Sequence, residues 1–104
     1  EDDFPMEGRQ RREVLGRYLE LVDFRDDNEA WFAKVKRICT EQHYAPQPKL
    51  YKKNPEQYQG SIVEVSNTIR VAITGRQNSP DLWQVSKALG ESRSRARLQA
   101  ALEA

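Results

Sequence analysis

The sequence predicts an all-α fold, a compact bundle of four to five helices. Three observations point there. Apolar residues recur with a 3.6-residue period in two separate segments. The one β-branched run has no second strand to pair with. A Ser-Pro-Asp triplet late in the chain marks a helix start. Length and composition agree: 104 residues with 38% apolar and 32% charged side chains suit one modest core. They exclude a doubly wound nucleotide domain joined to a second domain.

Residues 1–8 are acidic and carry Pro5 and Gly8, so they read as a frayed, linker-like start. From Arg9 to about Val22, the residues Val14, Leu15, Tyr18, Leu21 and Val22 make one helical stripe. Gly16 weakens that helix by about 1 kcal/mol relative to Ala without breaking the pattern. Trp31, Phe32, Val35, Ile38 and Cys39 repeat the same spacing, preceded by Asp26, Asp27 and Asn28 as N-cap candidates. This predicts a helix over about residues 27–43. Pro46, Pro48, Pro55 and Gly60 then predict a long ordered loop with one short turn over residues 44–60.

Residues 61–74 fit two templates equally well. A strand would align Ser61, Val63, Val65, Asn67, Ile69, Val71 and Ile73. A helix would align Ile62, Val65, Ser66, Ile69, Ala72, Ile73 and Arg76. The β-branched content favours strand, but a lone strand leaves its backbone groups unpaired, and a buried helix is the expectation. Gly75 sits where that helix would end in a left-handed turn. Ser79 as N-cap, Pro80 at the first helical position and Asp81 in the first turn start the next helix. Leu82, Val85 and Leu89 give its stripe and Gly90 stops it. A last helix spans about Glu91–Leu102, with Leu98, Ala101 and Leu102 on one face and Arg93, Arg95 and Arg97 on the other.

Charge is balanced overall but uneven along the chain. Residues 1–30 carry ten acids against five arginines, and residues 31–104 carry twelve bases against six acids. An anionic partner would therefore meet the C-terminal two-thirds. Catalytic signals are weak. Cys39 and His43 stand four residues apart and could form a thiol–imidazole pair, but Cys39 lies on the apolar stripe and reads better as a buried structural thiol. A single cysteine excludes an internal disulfide and fits a reducing compartment. With a single histidine, no metal site is expected. No apolar run approaches the ~20 residues of a membrane span, and no signal peptide is expected. The chain opens on Glu1 and is expected to be a piece of something longer.

The stretch from Ile69 to Leu82 concentrates the remaining chemistry. It places Arg70 and Arg76 around a helix end, followed by Ser79 at a helix start. Free N–H groups and bidentate guanidinium groups suit single-stranded RNA, whose bases can be read when unstacked. The plainer reading makes Ser79 a cap and the arginines surface residues.

Residues 69–98, IRVAITGRQNSPDLWQVSKALGESRSRARL, resemble the C-terminal anticodon-binding domain of bacterial glutamyl-tRNA synthetase. RVAITGR, SPDLW and ALGESRSRARL follow in the family's order and spacing. Upstream, DNEAWFAKVKRICTEQHYA and KLYKKNPEQYQGSIVEVS look like a clostridial-type branch, and the resemblance covers roughly residues 18–103. It implies a helical cage, which places residues 61–74 in a helix. It implies a cytoplasmic parent, a class I synthetase using ATP and magnesium, with glutamate tRNA as partner. This chain has no HIGH-like or KMSKS-like motif, so it is expected to be inactive alone, without cofactor, and monomeric. The resemblance places Arg70, Ser79, Pro80 and Leu82 around anticodon bases: Arg70 to hydrogen-bond or stack, Ser79 to meet base edges, Pro80 and Leu82 as apolar support. Arg76 is added as a phosphate contact on charge and position. Ser86, Ser92 and Ser94 depart from the family pattern, which touches helix-surface details more than the pocket. Trp31 and Trp83 are expected in the core. Two other readings are a helical protein-interaction domain docking through its arginine-rich last helix, and a small independent RNA-binding protein.

Overall fold

A computed structural model describes residues 3–6 and 8–104. Helix α1 spans Gly8–Leu21 and α2 spans Asn28–Glu41. Each buries most of the apolar stripe seen in the sequence: Val14, Leu15 and Tyr18 on α1, and Trp31, Val35, Ile38 and Cys39 on α2, whereas Phe32 is exposed. Of the N-cap candidates, Asp27 is the one used; its carboxylate accepts the Ala30 N–H at 2.8 Å. That bond satisfies one of the free donors of the first turn.

The expected loop is more ordered than its prolines suggest. It contains β1 (Tyr44–Ala45), a six-residue helix α3 (Pro48–Lys53), a 3-10 turn at Pro55–Gln57 and β2 (Gly60–Ser61). Pro48 and Pro55 each sit in the first turn of a helical piece, where a missing N–H costs nothing. β1 and β2 pair in parallel, Tyr44 with Gly60 and Ala45 with Ser61. Two residues are too few to show any alternation, so the pairing left no periodic trace in the sequence.

Residues Ile62–Thr74 form helix α4. A capping box starts it: Ser61 Oγ accepts the Val63 N–H at 3.2 Å, and the Glu64 carboxylate accepts the Ser61 N–H at 3.0 Å. Burial of Ile62, Val65, Ile69, Val71 and Ile73 then outweighs their weak helix propensity. Gly75 ends α4 at φ 77° and returns its N–H to Val71 O at 2.8 Å. Helix α5 covers Leu82–Leu89 and α6 covers Glu91–Glu103.

The α5 start corrects the sequence reading. Ser79 is not the N-cap and Pro80 is not the first helical residue. Asp81 caps the helix, accepting the Gln84 N–H at 3.1 Å. The Ser79 hydroxyl is held elsewhere, accepting from Arg70 Nε at 2.8 Å and donating to Pro80 O at 2.9 Å. A tertiary bond to a cation has displaced the local cap by two residues.

Helices α1, α2, α4 and α6 close into a ring, α1 on α2, α2 on α4, α4 on α6 and α6 on α1, with α5 packed on α6. Leu15, Tyr18, Val35, Ile38, Val65, Ile69 and Leu98 fill the centre. Both tryptophans are core residues, stacked with ring centroids 5.6 Å apart. Their N–H groups are satisfied, Trp31 by the Tyr18 hydroxyl at 2.8 Å and Trp83 by Asp26 O at 3.0 Å. Burial pushes the Tyr18 phenol up to about 12.

The expected frayed start includes Glu1, Asp2 and Glu7, which lie outside the described residues. Two of its other members pack: Met6 is buried, and Phe4 lies against the core beneath the Arg11 guanidinium, while Asp3 is exposed. The departures at Ser86 and Ser94 are not surface details either. Both side chains are fully buried, with Ser86 Oγ donating to Leu82 O and Ser94 Oγ donating to Ser86 O. Small, self-satisfied side chains let α5 and α6 approach closely across Gly90.

Candidate nucleic-acid interface

A groove of about 420 Å³ opens where the N-terminal half of α2, the middle of α4 and the start of α5 meet. Its walls include Glu29 and Phe32 from α2, Ser66 and Arg70 from α4, and Asp81 and Leu82 from the α5 start. Arg70 is half-buried and held on two sides. Its Nε–H donates to Ser79 Oγ and its Nη1 donates to Asn67 Oδ1, both at 2.8 Å. These neutral acceptors fix the guanidinium plane without cancelling its charge, which leaves the outer N–H donors and the planar face for a ligand.

The sequence-predicted residues separate into roles. Arg70 and Leu82 line the groove together, Leu82 as a buried wall. Ser79 is drawn to them through Arg70, and because its proton goes to Pro80 O it offers a ligand an acceptor lone pair only. Pro80 is exposed beside the groove and holds the turn between Ser79 and the Asp81 cap. Arg76 is exposed past the end of α4 and is not among the lining residues. Its backbone N–H is taken by Thr74 Oγ1 at 3.1 Å.

Sequence reasoning missed Phe32, which was grouped with the core stripe. It is 40% exposed and lines the groove, with Lys36 Nζ 4.9 Å from its ring centroid. The spacing gave no warning: the adjacent pairs Val14–Leu15 and Ile38–Cys39 are both fully buried, so a Trp31–Phe32 pair on the same stripe reads equally well as core. Glu29, Ser66 and Asp81 were also unassigned.

The thiol–imidazole pair does not form. Cys39 is fully buried and its thiol is pushed up to about 12 by burial. His43 is exposed beyond the helix end at φ 62°. Away from the groove, Glu41 is pushed down to about 2, chiefly by the Arg17 guanidinium at 2.8 and 3.1 Å, with Arg37 adding a further bond. This is an exposed ion cluster tying α1 to α2. Among the described residues no group of three His, Cys, Asp or Glu side chains could hold a metal, and no helix is long and apolar enough to cross a membrane.

Residues 8–102 match the family described as the anticodon binding domain. The chain belongs to the anticodon-binding domain family. It is 45% identical over 100 residues to the glutamate–tRNA ligase of Acetivibrio thermocellus, a match covering 94% of this chain and 18% of that protein. It is 43% identical over 99 residues to that of Sorangium cellulosum, covering 92% and 17%. For the enzyme of Clostridium perfringens strain 13 the identity is 34% over 93 residues, covering 89% and 17%. The chain thus spans under a fifth of the length of these relatives. No solved structure matches it.

Within an anticodon-binding domain, the arginine-rich last helix is largely frame. Arg97 Nη1 donates to Ile73 O at 2.7 Å, closing the C-terminal turn of α4. Arg95 donates to Leu19 O and Val22 O, both at 3.2 Å, at the end of α1, and pairs with Glu91 at 2.8 Å. Cations there complement the negative ends of both helices. Arg93 alone of the three is left exposed without such a bond, which weakens the protein-docking reading.

Proposed function

We propose that this chain grips the anticodon of glutamate tRNA as one domain of a longer, cytoplasmic, monomeric glutamate–tRNA ligase of class I. The observation that carries the reading is the Arg70 guanidinium, fixed by Ser79 and Asn67 on the wall of a groove shared with Leu82. A pre-positioned fork loses little freedom when it binds, so its hydrogen bonds can separate one base edge from another. An anticodon loop presents bases unstacked and accessible, the form of RNA such a groove can read. In this reading Arg70 contacts a base, Ser79 positions Arg70, and Pro80 and Leu82 give apolar support. Arg76 meets a phosphate. Binding here orients the tRNA so that its distant acceptor end reaches the catalytic part of the ligase. ATP and magnesium would serve amino-acid activation in that other part; among the described residues of this chain no group of three His, Cys, Asp or Glu side chains could hold a metal ion.

The test is binding of this chain to glutamate tRNA and to the same tRNA with its anticodon replaced, at two salt concentrations. Phosphate attraction falls steeply with ionic strength, whereas base discrimination persists. Preference for the native anticodon at both salts is the expected result. Equal binding of both tRNAs, lost together at higher salt, would overturn the reading.

A further inference from the structure

We propose that Phe32 and Lys36 form a second nucleotide subsite beside Arg70, in which an unstacked base lies on the Phe32 ring and the Lys36 ammonium meets its phosphate. The inference rests on the anticodon-binding reading above and extends its groove along α2. Phe32 and Val63 are the large apolar side chains exposed among the described residues, at 40% and 47%. Phe32 faces the same groove as Arg70, so an apolar ring stands next to a fixed guanidinium. Such a ring gains from cover by any flat, weakly polar surface, and every base offers one.

The surrounding charges fix which part of a nucleotide goes where. Lys36 lies one helical turn beyond Phe32, with Nζ over the ring at 4.9 Å from its centroid, so its flexible stem must swing the ammonium off that face, toward the phosphate, when a base stacks there. Glu29 lies nearly one turn before Phe32, and Asp81 faces it across the groove. The two carboxylates repel phosphate from the interior while accepting N–H groups from a base edge. The RNA backbone is thereby directed to the Lys36 flank, with the base turned inward over Phe32. Trp31 is buried beside it, the two ring centroids 6.3 Å apart and the planes tilted by 31°. The bland alternative is a surface cation–π pair that only stabilises α2; in that case altering Phe32 would leave RNA binding untouched.

The variants Phe32→Ala, Phe32→Leu, Phe32→Tyr, Lys36→Gln and Arg70→Ala are compared for binding to a transcript of glutamate tRNA across a salt series. Phe32 is exposed, so circular dichroism melts should track the parent chain. Phe32→Ala is expected to weaken binding about tenfold, in line with the loss of one base stack. Phe32→Tyr keeps the ring and should bind as the parent, whereas Phe32→Leu should resemble Phe32→Ala. Lys36→Gln should reduce the salt slope by about one charge. Parental binding by Phe32→Ala, or full rescue by Phe32→Leu, overturns the subsite. Arg70→Ala tests the underlying reading separately: if it keeps full anticodon discrimination, the reading itself fails, whatever the Phe32 variants do.

Discussion

Arg93, Arg95 and Arg97 look alike in the sequence, yet replacing each by Ala should have sharply different effects. Arg97 makes one short charge-assisted bond, 2.7 Å to Ile73 O, at the end of the helix that carries Arg70. Such bonds contribute about 1.5–3 kcal/mol when well shielded; at this exposed position about 1 kcal/mol is expected. Arg95 makes two bonds at 3.2 Å to Leu19 O and Val22 O and pairs with Glu91, with 39% of its side chain exposed. Its removal should cost about 2 kcal/mol. Arg93 has no such bond, and its change should stay within about 0.5 kcal/mol. For a chain of this size, 1 kcal/mol moves the melting temperature by about 4–8 °C. Thermal melts followed by circular dichroism should therefore show Arg93→Ala near the parent, Arg97→Ala about 4–8 °C lower and Arg95→Ala about 8–16 °C lower. If all three melt with the parent chain, the carbonyl contacts carry no stability. The arginines would then be free for a partner, and the frame assignment would be wrong.

Three further outcomes follow from the geometry. Asp81→Ala should lower stability by about 1 kcal/mol through loss of the α5 cap, whereas Ser79→Ala should shift the melt by less than about 0.5 kcal/mol; the reverse order would restore Ser79 as the cap. Gly16→Ala should raise stability by about 0.5–1 kcal/mol through helix propensity, since the added Cβ would meet Leu102 Cδ1 at an ordinary 3.9 Å; a lower urea midpoint would show that α1 and α6 need the gap. Glu41 is held near 2 in the folded chain, against about 4.3 for an unfolded glutamate. Its contribution is present above about 4.3 and lost as pH falls through about 2. Urea midpoints should drop in that window, and Glu41→Gln should remove part of the drop.

Local patterns carried much of the fold. The stripes of α1 and α2 were legible because each helix buries one face along its own length. The Gly75 and Gly90 stops were legible because a left-handed or extended turn has few occupants. What escaped the sequence depends on contacts between distant residues. The β1–β2 pairing joins segments separated by the whole proline-rich loop. The α5 start moved because Arg70, nine residues upstream, took the Ser79 hydroxyl. Ser86 and Ser94 looked like polar intrusions until α5 and α6 were brought together around them. In the groove, Arg70 stood out by its charge beside a helix end, and its base-contact role and Leu82 came through resemblance. Phe32 was lost to a stripe that counted it as core, because hydrophobicity alone does not say which side of a stripe's edge a ring falls on.

The two-residue pairing of Tyr44–Ala45 with Gly60–Ser61 has a consequence for evolution and engineering. It pins both ends of the segment over residues 46–59, while Gln59 N–H bonds His43 O at 2.8 Å just outside the pairing. The helical ring therefore senses where that segment leaves and returns, and is nearly indifferent to its contour length. Doubling such a loop costs only about 0.6 kcal/mol in closure entropy. This is the place on the molecule where a tag, a reporter or an extra recognition element could be grafted without disturbing the groove.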